Sequence, residues 1–456
     1  MQEELFFMAA TISARNYTTA PNTTLLRMAL PVLVSLVAEP LTGLADTAFV
    51  ARLGTEALAS LGIGTMILTS TFWIFNFLGV GTQTELAKHL GANNSEKASA
   101  VCSASLLLAL SLGIISMLAA WPFLTLAAEA MGGTGPITAL AVEYMQARLF
   151  GAPAVLITFA CFGALRGVQD MKAPLMIAAM VNGLNILLDW LLIFGIGPFP
   201  ALGVQGAALA TSASQWGGAL WAILLVHRHI RFNSSVRLDD IRRLVSIGGD
   251  MFVRTGMVLA FLLFATRVAT EAGAESGAAH QAIRQFFFFT ALFLDAFAIS
   301  GQSLIGFFMG SNDKAMARCV AKTVCVWSLG TGCLLMAVML AGKQTIAWLL
   351  VPAEAYAVFN APWVIAALIQ PVNALSFATD GIHWGTGDFR FLRNAMLLSA
   401  AAGIAILAGT AQLSPETPLA WVWIATGVWT TARAGLGLIR IWPGYANGPL
   451  GTASPS

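Results

Sequence analysis

Charge is what this sequence has least of. Only 10% of its 456 residues are Asp, Glu, Lys or Arg, against roughly a quarter in a soluble domain. The deficit runs along nearly the whole chain, which excludes a soluble enzyme carrying one anchor. A net charge of +2 is too small to imply a nucleic-acid partner. The five cysteines (Cys102, Cys161, Cys319, Cys325, Cys333) form no CxxC pair and no spacing with histidine. They read as small apolar packing residues, not as a zinc site or a disulfide framework. No GxxxxGK[ST] sequence occurs, so the chain offers no ATP-driven engine, and no cofactor is expected. Its histidines form neither HxxxH nor HExxH, which leaves His280 and His383 a poor basis for a membrane enzyme. Residues 1–24 lack a basic n-region: Glu3 and Glu4 precede a short apolar patch over 5–12. This argues against a cleaved signal peptide and reads as a cytoplasmic tail.

What the chain has is apolar length, with 57% hydrophobic residues. A bilayer-spanning helix takes about 20 apolar residues, and the length allows about twelve spans. Apolar runs bounded by charges and by Gly, Pro and Asn place helices near 25–50, 57–86, 97–122, 137–165, 173–195 and 203–227. A second set falls near 242–270, 279–309, 315–341, 355–385, 391–412 and 418–439. With this assignment, eighteen of the 24 basic residues, Arg433 among them, fall on one side of the membrane. Arg52, Arg267 and Lys343 fall on the other, and Arg148, Arg254 and Arg284 lie inside spans. Lys and Arg mark the cytoplasmic side, so both termini are expected to be cytoplasmic, in a bacterial inner (plasma) membrane. The expected organisation is a tail (1–24), an N-lobe (25–227), a basic linker (228–242), a C-lobe (243–440) and a C-terminal tail (441–456).

The two sets repeat. Gln83 and Gln302 each stand eight residues before Gly91 and Gly310, an offset of 219. Pro153, Gly163, Gly167 and Asp170 match Pro371, Gly381, Gly385 and Asp388 at an offset of 218. The fold class expected is therefore an all-α membrane protein, two six-helix lobes related by a pseudo-two-fold axis along the membrane normal. Its substrate cavity is expected between the halves.

A charge at the bilayer centre costs about 2.5–3.5 kcal/mol on insertion scales, so ionisable residues inside spans are functional candidates. On the first helix Glu39 and Asp46 share a face, and Pro31 and Pro40 interrupt the helix. A bendable helix carrying a titratable acid suits a switch; the bland alternatives are a static kink and, for Glu39, a place in the outer headgroup region. On the fifth helix Asn182, Asn185 and Asp189 form one stripe, and Thr211 on the sixth can add a hydroxyl. A lone Asn would be helix glue, but two with an Asp make an oxygen set for a proton or Na⁺. Asp250 and Arg254, four apart, are expected to neutralise each other. His280, Arg284 and Asp295 fall on one stripe of the eighth helix, and Gln370, Asn373, Phe377 and Asp380 on one face of the tenth, with His383 a turn later. Arg284, Asp295, Asn373 and Asp380 are thus secondary cation or cavity candidates. Phe72, Trp73, Phe75, Phe77 and the run Phe286–Phe289 would suit a lipophilic cavity, though aromatics at this frequency are ordinary packing.

Several segments resemble the multidrug and toxic compound extrusion (MATE) family, in its DinF-like branch, over roughly residues 25–440. "ALPVLVSLVAEPLTGLADTAFVARLG" (29–54) is similar to the branch's first helix, and "GALRGVQDMKAPL" (163–175) to its fourth-to-fifth helix junction. "VNGLNILLDWLLIFG" (181–195) and "GVQGAALAT" (203–211) resemble its fifth and sixth helices. "GGDMFVRT" (248–255) and "FLDAFAISGQSLIG" (293–306) resemble its seventh and eighth. The resemblance implies a cation-coupled antiporter exporting small organic compounds by alternating access, with a cation-linked cluster carried over to Asp46, Asn185, Asp189 and Thr211. The coupling ion implied is H⁺ or Na⁺, leaning towards H⁺. Membrane lipids are the expected surroundings and a monomer the expected state. A lipid-linked precursor flippase of the same superfamily is the alternative, kept alive by Arg148, Arg254 and Arg284. A passive channel is disfavoured by the two-lobed repeat. Asp46 has no acidic counterpart at the repeat offset, where Ala265 stands.

Overall fold

The computed structural model describes residues 13–232, 236–413, 417–442 and 448–451, apart from the side chain of Glu39. Every regular element among them is helical. In the first half these are α1 (Pro21–Val50), α2 (Thr55–Gly91), α3 (Ser95–Ala120), α4 (limbs Pro136–Leu149 and Ala152–Gly167), α5 (Lys172–Phe194) and α6 (Gly203–His229). In the second they are α7 (Leu238–Glu271), α8 (Ala274–Gly310), α9 (Lys314–Ala341), α10 (Tyr356–Thr386), α11 (Phe389–Leu413) and α12 (Pro418–Ile441). Short helices Leu124–Ala130 and Lys343–Leu350 follow α3 and α9, again 219 residues apart.

Ten helices among the described residues are long and apolar enough to cross a membrane, and α4, taken as one bent span, makes eleven. The twelfth expected span, α12, has 24 residues and therefore rises about 36 Å, enough for the hydrocarbon core. Three tryptophans, three threonines and two arginines interrupt its apolar run.

Two spans are less regular than their apolar runs imply. A 3₁₀ turn over Ile74–Asn76 divides α2. The limbs of α4 meet at 49°. Pro153 has no N–H to give and its ring crowds the carbonyl four residues back, so the helix cannot run straight through. Side chains of α6 hydrogen-bond the carbonyls at the bend: Ser212 donates to Ala147 (2.9 Å) and the Trp216 indole to Phe150 (2.9 Å). By contrast α1 runs unbroken from Pro21 to Val50 with Pro31 and Pro40 inside it, and α10 contains Pro362 and Pro371.

The chain divides into two compact units, Leu30–Gly248 and Ala14–Ala29 with Gly249 onward. Both α1 and α7 pass from one unit to the other, and their crossing points, Leu30 and Gly249, are 219 residues apart. In the first unit the start of α7 is tied down by Arg243, whose guanidinium pairs with Glu85 (3.2 Å), and by Ile247 packed over Gly81. In the second unit the phenol of Tyr17 donates to Thr323 (2.8 Å) and the indole of Trp327 to Asn22 (2.9 Å).

The repeat is written in backbone detail. Asn93 and Asn312 both take a left-handed conformation (φ 57° and 60°), and the next residue caps the following helix. Asn94 accepts the amide of Lys97, and Asp313 that of Met316. Gly163 meets the carbonyl oxygen of Gly79, and its counterpart Gly381 meets that of Ala298, so a Cβ has no room at either place. The second unit carries an aromatic core around Phe261, Phe359, Trp363, Trp423 and Trp429.

Candidate functional site

A polar interior of the first unit lies among α1, α4, α5 and α6. Asn185 and Asp189, one turn apart on α5, are fully buried, and Asp46 of α1 is buried with them. The Asp46 and Asp189 carboxyl groups act directly on each other. The Asn185 amide donates to the Thr211 hydroxyl (3.3 Å), which in turn donates to the backbone of Ala207 (2.9 Å). Four buried oxygens here accept no protein hydrogen bond: Oδ1 of Asp46, Oδ1 of Asn185 and both carboxylate oxygens of Asp189. Buried polar atoms are ordinarily satisfied, so four orphaned acceptors in one place need a donor that the protein itself does not supply. Asn182, a turn earlier on the same stripe, is half-buried and shares no hydrogen bond with the group among the described residues. The side chain of Glu39 lies outside the described residues.

Arg148 stands at this cluster too. It is the last-turn residue of α4's first limb and acts electrostatically on Asp46 and on Tyr144, itself buried. From the sequence it is only a basic residue inside a span; its place beside the pair depends on the bend of α4.

The second unit builds a different interior. Asp380 of α10 receives two guanidinium groups on one oxygen, from Arg254 of α7 and from Arg433 of α12, the latter at 2.7 Å. Arg254 lies over the Trp384 ring and Arg433 over Trp429, 4.7 Å from its centroid. Asp295, half-buried on α8, acts on Arg433. The expected Asp250–Arg254 pair does not form. Asp250 binds Arg393 of α11 instead (2.7 Å), because Arg254 is drawn to Asp380. Arg433 likewise is no loop residue on a membrane face: it is buried in this ion pair. Arg284 bonds Gln281 (2.7 Å) and lies over Phe288, while His280 packs on Trp423. The stripe of α8 therefore serves different contacts. Gln370 and Asn373 are buried, with both amide atoms of Gln370 and the Asn373 nitrogen lacking a partner.

Applying the repeat offsets to the first cluster gives Ala265, Gly403 and Leu407 in place of Asp46, Asn185 and Asp189. All three are apolar, and the Phe261 ring occupies the space over Gly403, stacked on Trp429 at 4.5 Å. Among the described residues no group of three His, Cys, Asp or Glu side chains is arranged for a metal ion.

The family model described as MatE matches the chain twice, over residues 31–191 and 248–408. Protein DETOXIFICATION 44, chloroplastic, of Arabidopsis thaliana is 28% identical over 443 residues, covering 93% of this chain and 82% of the relative. DNA damage-inducible protein F of Escherichia coli (strain K12) is 28% identical over 436 residues, 93% of each chain. Among solved structures, that of a MOP superfamily transporter from Pyrococcus furiosus superposes with a TM-score of 0.83 at 22% identity, over 92% of this chain and 94% of that one. The chain belongs to the MatE family and is a multispanning membrane protein, a secondary transporter and not an enzyme.

Proposed function

We propose that the chain is a secondary active antiporter that exports organic, lipophilic or cationic compounds in exchange for H⁺ or Na⁺. The observation that supports this reading is the buried, donor-poor oxygen cluster of Asp46, Asp189, Asn185 and Thr211. With both acids ionised, two negative charges face each other in a low-dielectric interior, which is unfavourable. A proton shared between the carboxyl groups, or a sodium ion held by carboxylate and amide oxygens, relieves the repulsion. Cation uptake then stabilises one arrangement of α1 against α5, and Pro31 and Pro40 leave α1 with carbonyls free of helical hydrogen bonds, so it can bend. Alternating exposure of the site to the two sides of the membrane couples that step to cargo release.

In this reading Asp380 is a structural centre of the second unit, since its carboxylate is already neutralised by two arginines. Asp295 balances the second arginine, and Asn373 and Arg284 stand at the margins. The protein works as a monomer in a plasma membrane with both termini cytoplasmic. The direct test is efflux of a fluorescent cationic dye from proteoliposomes with either a proton or a sodium gradient imposed. One gradient alone should drive export; transport indifferent to both would overturn the antiport reading.

A further inference from the structure

Arg148 is held in place by more than its own helix. The bend of α4 brings the end of its first limb against α6, where Ser212 and Trp216 hydrogen-bond the carbonyls on either side of Arg148. Thr211, next to Ser212, is the hydroxyl that accepts from Asn185. One turn of α6 therefore fixes both the oxygen cluster and the segment that presents the guanidinium. From α2, the Phe72 ring lies under the guanidinium at 5.6 Å, within cation–π range. The absence of a side chain at Gly64 leaves room for the ring of Tyr144, one helical turn before Arg148. The ionisable side chains acting on one another here are Asp46 from α1, Asp189 from α5, and Tyr144 and Arg148 from α4. The contacts from α2 and α6 come from Phe72, Thr211, Ser212 and Trp216, none of which titrates.

We propose that Arg148 is a positioning residue for the coupling cation: its fixed positive charge offsets one of the two carboxylates, so that the cluster takes up a single monovalent cation. The charge count is simple. Two ionised acids and one guanidinium leave one negative charge, which one H⁺ or one Na⁺ cancels. Without the guanidinium the pair would carry two, and its hold on the first proton would tighten. A nearby opposite charge favours the ionised form of a carboxyl group, so removing it raises the pH at which the pair takes up a proton. This inference rests on the reading of Asp46 and Asp189 as the cation site.

The test reads protonation without needing the cargo. Infrared difference spectra of the full chain in lipid, titrated with acid in sodium-free buffer, follow the carbonyl stretch of protonated carboxyl groups. Asp46→Asn and Asp189→Asn should each remove the band that belongs to the pair. Arg148→Gln and Arg148→Met, two neutral replacements of similar length, should move its midpoint about one pH unit alkaline. Arg148→Lys should return it towards the parent value, a rescue that a purely steric role would not give. If the Asp variants leave the band intact, the cation site itself is misplaced. If they remove it but the neutral Arg148 variants titrate at the parent midpoint, the role of Arg148 is overturned and the cation site stands.

Discussion

At the scale of single residues, the two units use buried charge in opposite ways. Asp380 is locked: two guanidinium groups share one of its oxygens, and aromatic rings cover both arginines. Removing the carboxylate strands two buried cations, and losing one partner of a buried pair costs about 3–5 kcal/mol. Asp380→Asn should therefore lower the unfolding temperature of the purified protein markedly, whereas Asp46→Asn should leave it nearly unchanged. Similar unfolding temperatures for the two variants would contradict this division of roles. Asp170 supplies a pH-dependent counterpart outside the spans. Burial opposes its ionisation, but hydrogen bonds from His229 and from the amides of Ala173 and Lys172 outweigh burial, so its pKa lies below the ordinary carboxylate value. A carboxyl group lowered in the folded state contributes stability above its unfolded pKa of about 3.9 and loses it as pH falls through the folded value. Asp170→Ala, which also removes the acceptor of the Lys172 and Ala173 amides at the start of α5, should cost about 1 kcal/mol at neutral pH. That deficit should shrink below about pH 4 in chemical or thermal unfolding. The α5 stripe was legible because Asn185 and Asp189 share one helix. The partners of Asp250 and Arg254 were not, because four-residue spacing describes one helix while the real partners come from α11 and α10.

At the scale of elements, apolar runs revealed where helices lie but not where they break. Pro153 breaks α4, but the α6 donors that satisfy the carbonyls at the bend come from another helix, and the turn in α2 interrupts an apolar run that gives no sign of it. The repeat, in contrast, was visible in a handful of Gly, Pro, Gln and Asp positions because those residues carry geometry. Gly163 and Gly381 allow α4 and α10 to touch the backbones of α2 and α8. Gly163→Ala would drive a methyl group into the Gly79 carbonyl and should cost about 1–3 kcal/mol or more. Gly183→Ala, where nothing lies within 4 Å of the new carbon, should be silent. Expression level and unfolding temperature of the two variants check this pair, and equal behaviour would contradict the close crossing.

At the scale of the whole molecule, the duplication preserved the scaffold and let the chemistry diverge. The caps at Asn94 and Asp313, the left-handed Asn93 and Asn312 and the glycine crossings recur. The acids do not: Ala265, Gly403 and Leu407 fill the second unit's equivalents with aromatic packing. The proposed exchange centres on the oxygen cluster of Asp46, Asn185 and Asp189, which among the described residues has no acidic counterpart at the repeat offset. The most direct measurement is dye efflux from proteoliposomes containing the Asp46→Asn protein, with the driving cation gradient imposed. Gradient-driven efflux should fall to the level of empty liposomes while the protein stays folded; efflux at the parent rate would contradict the assignment of Asp46 to coupling.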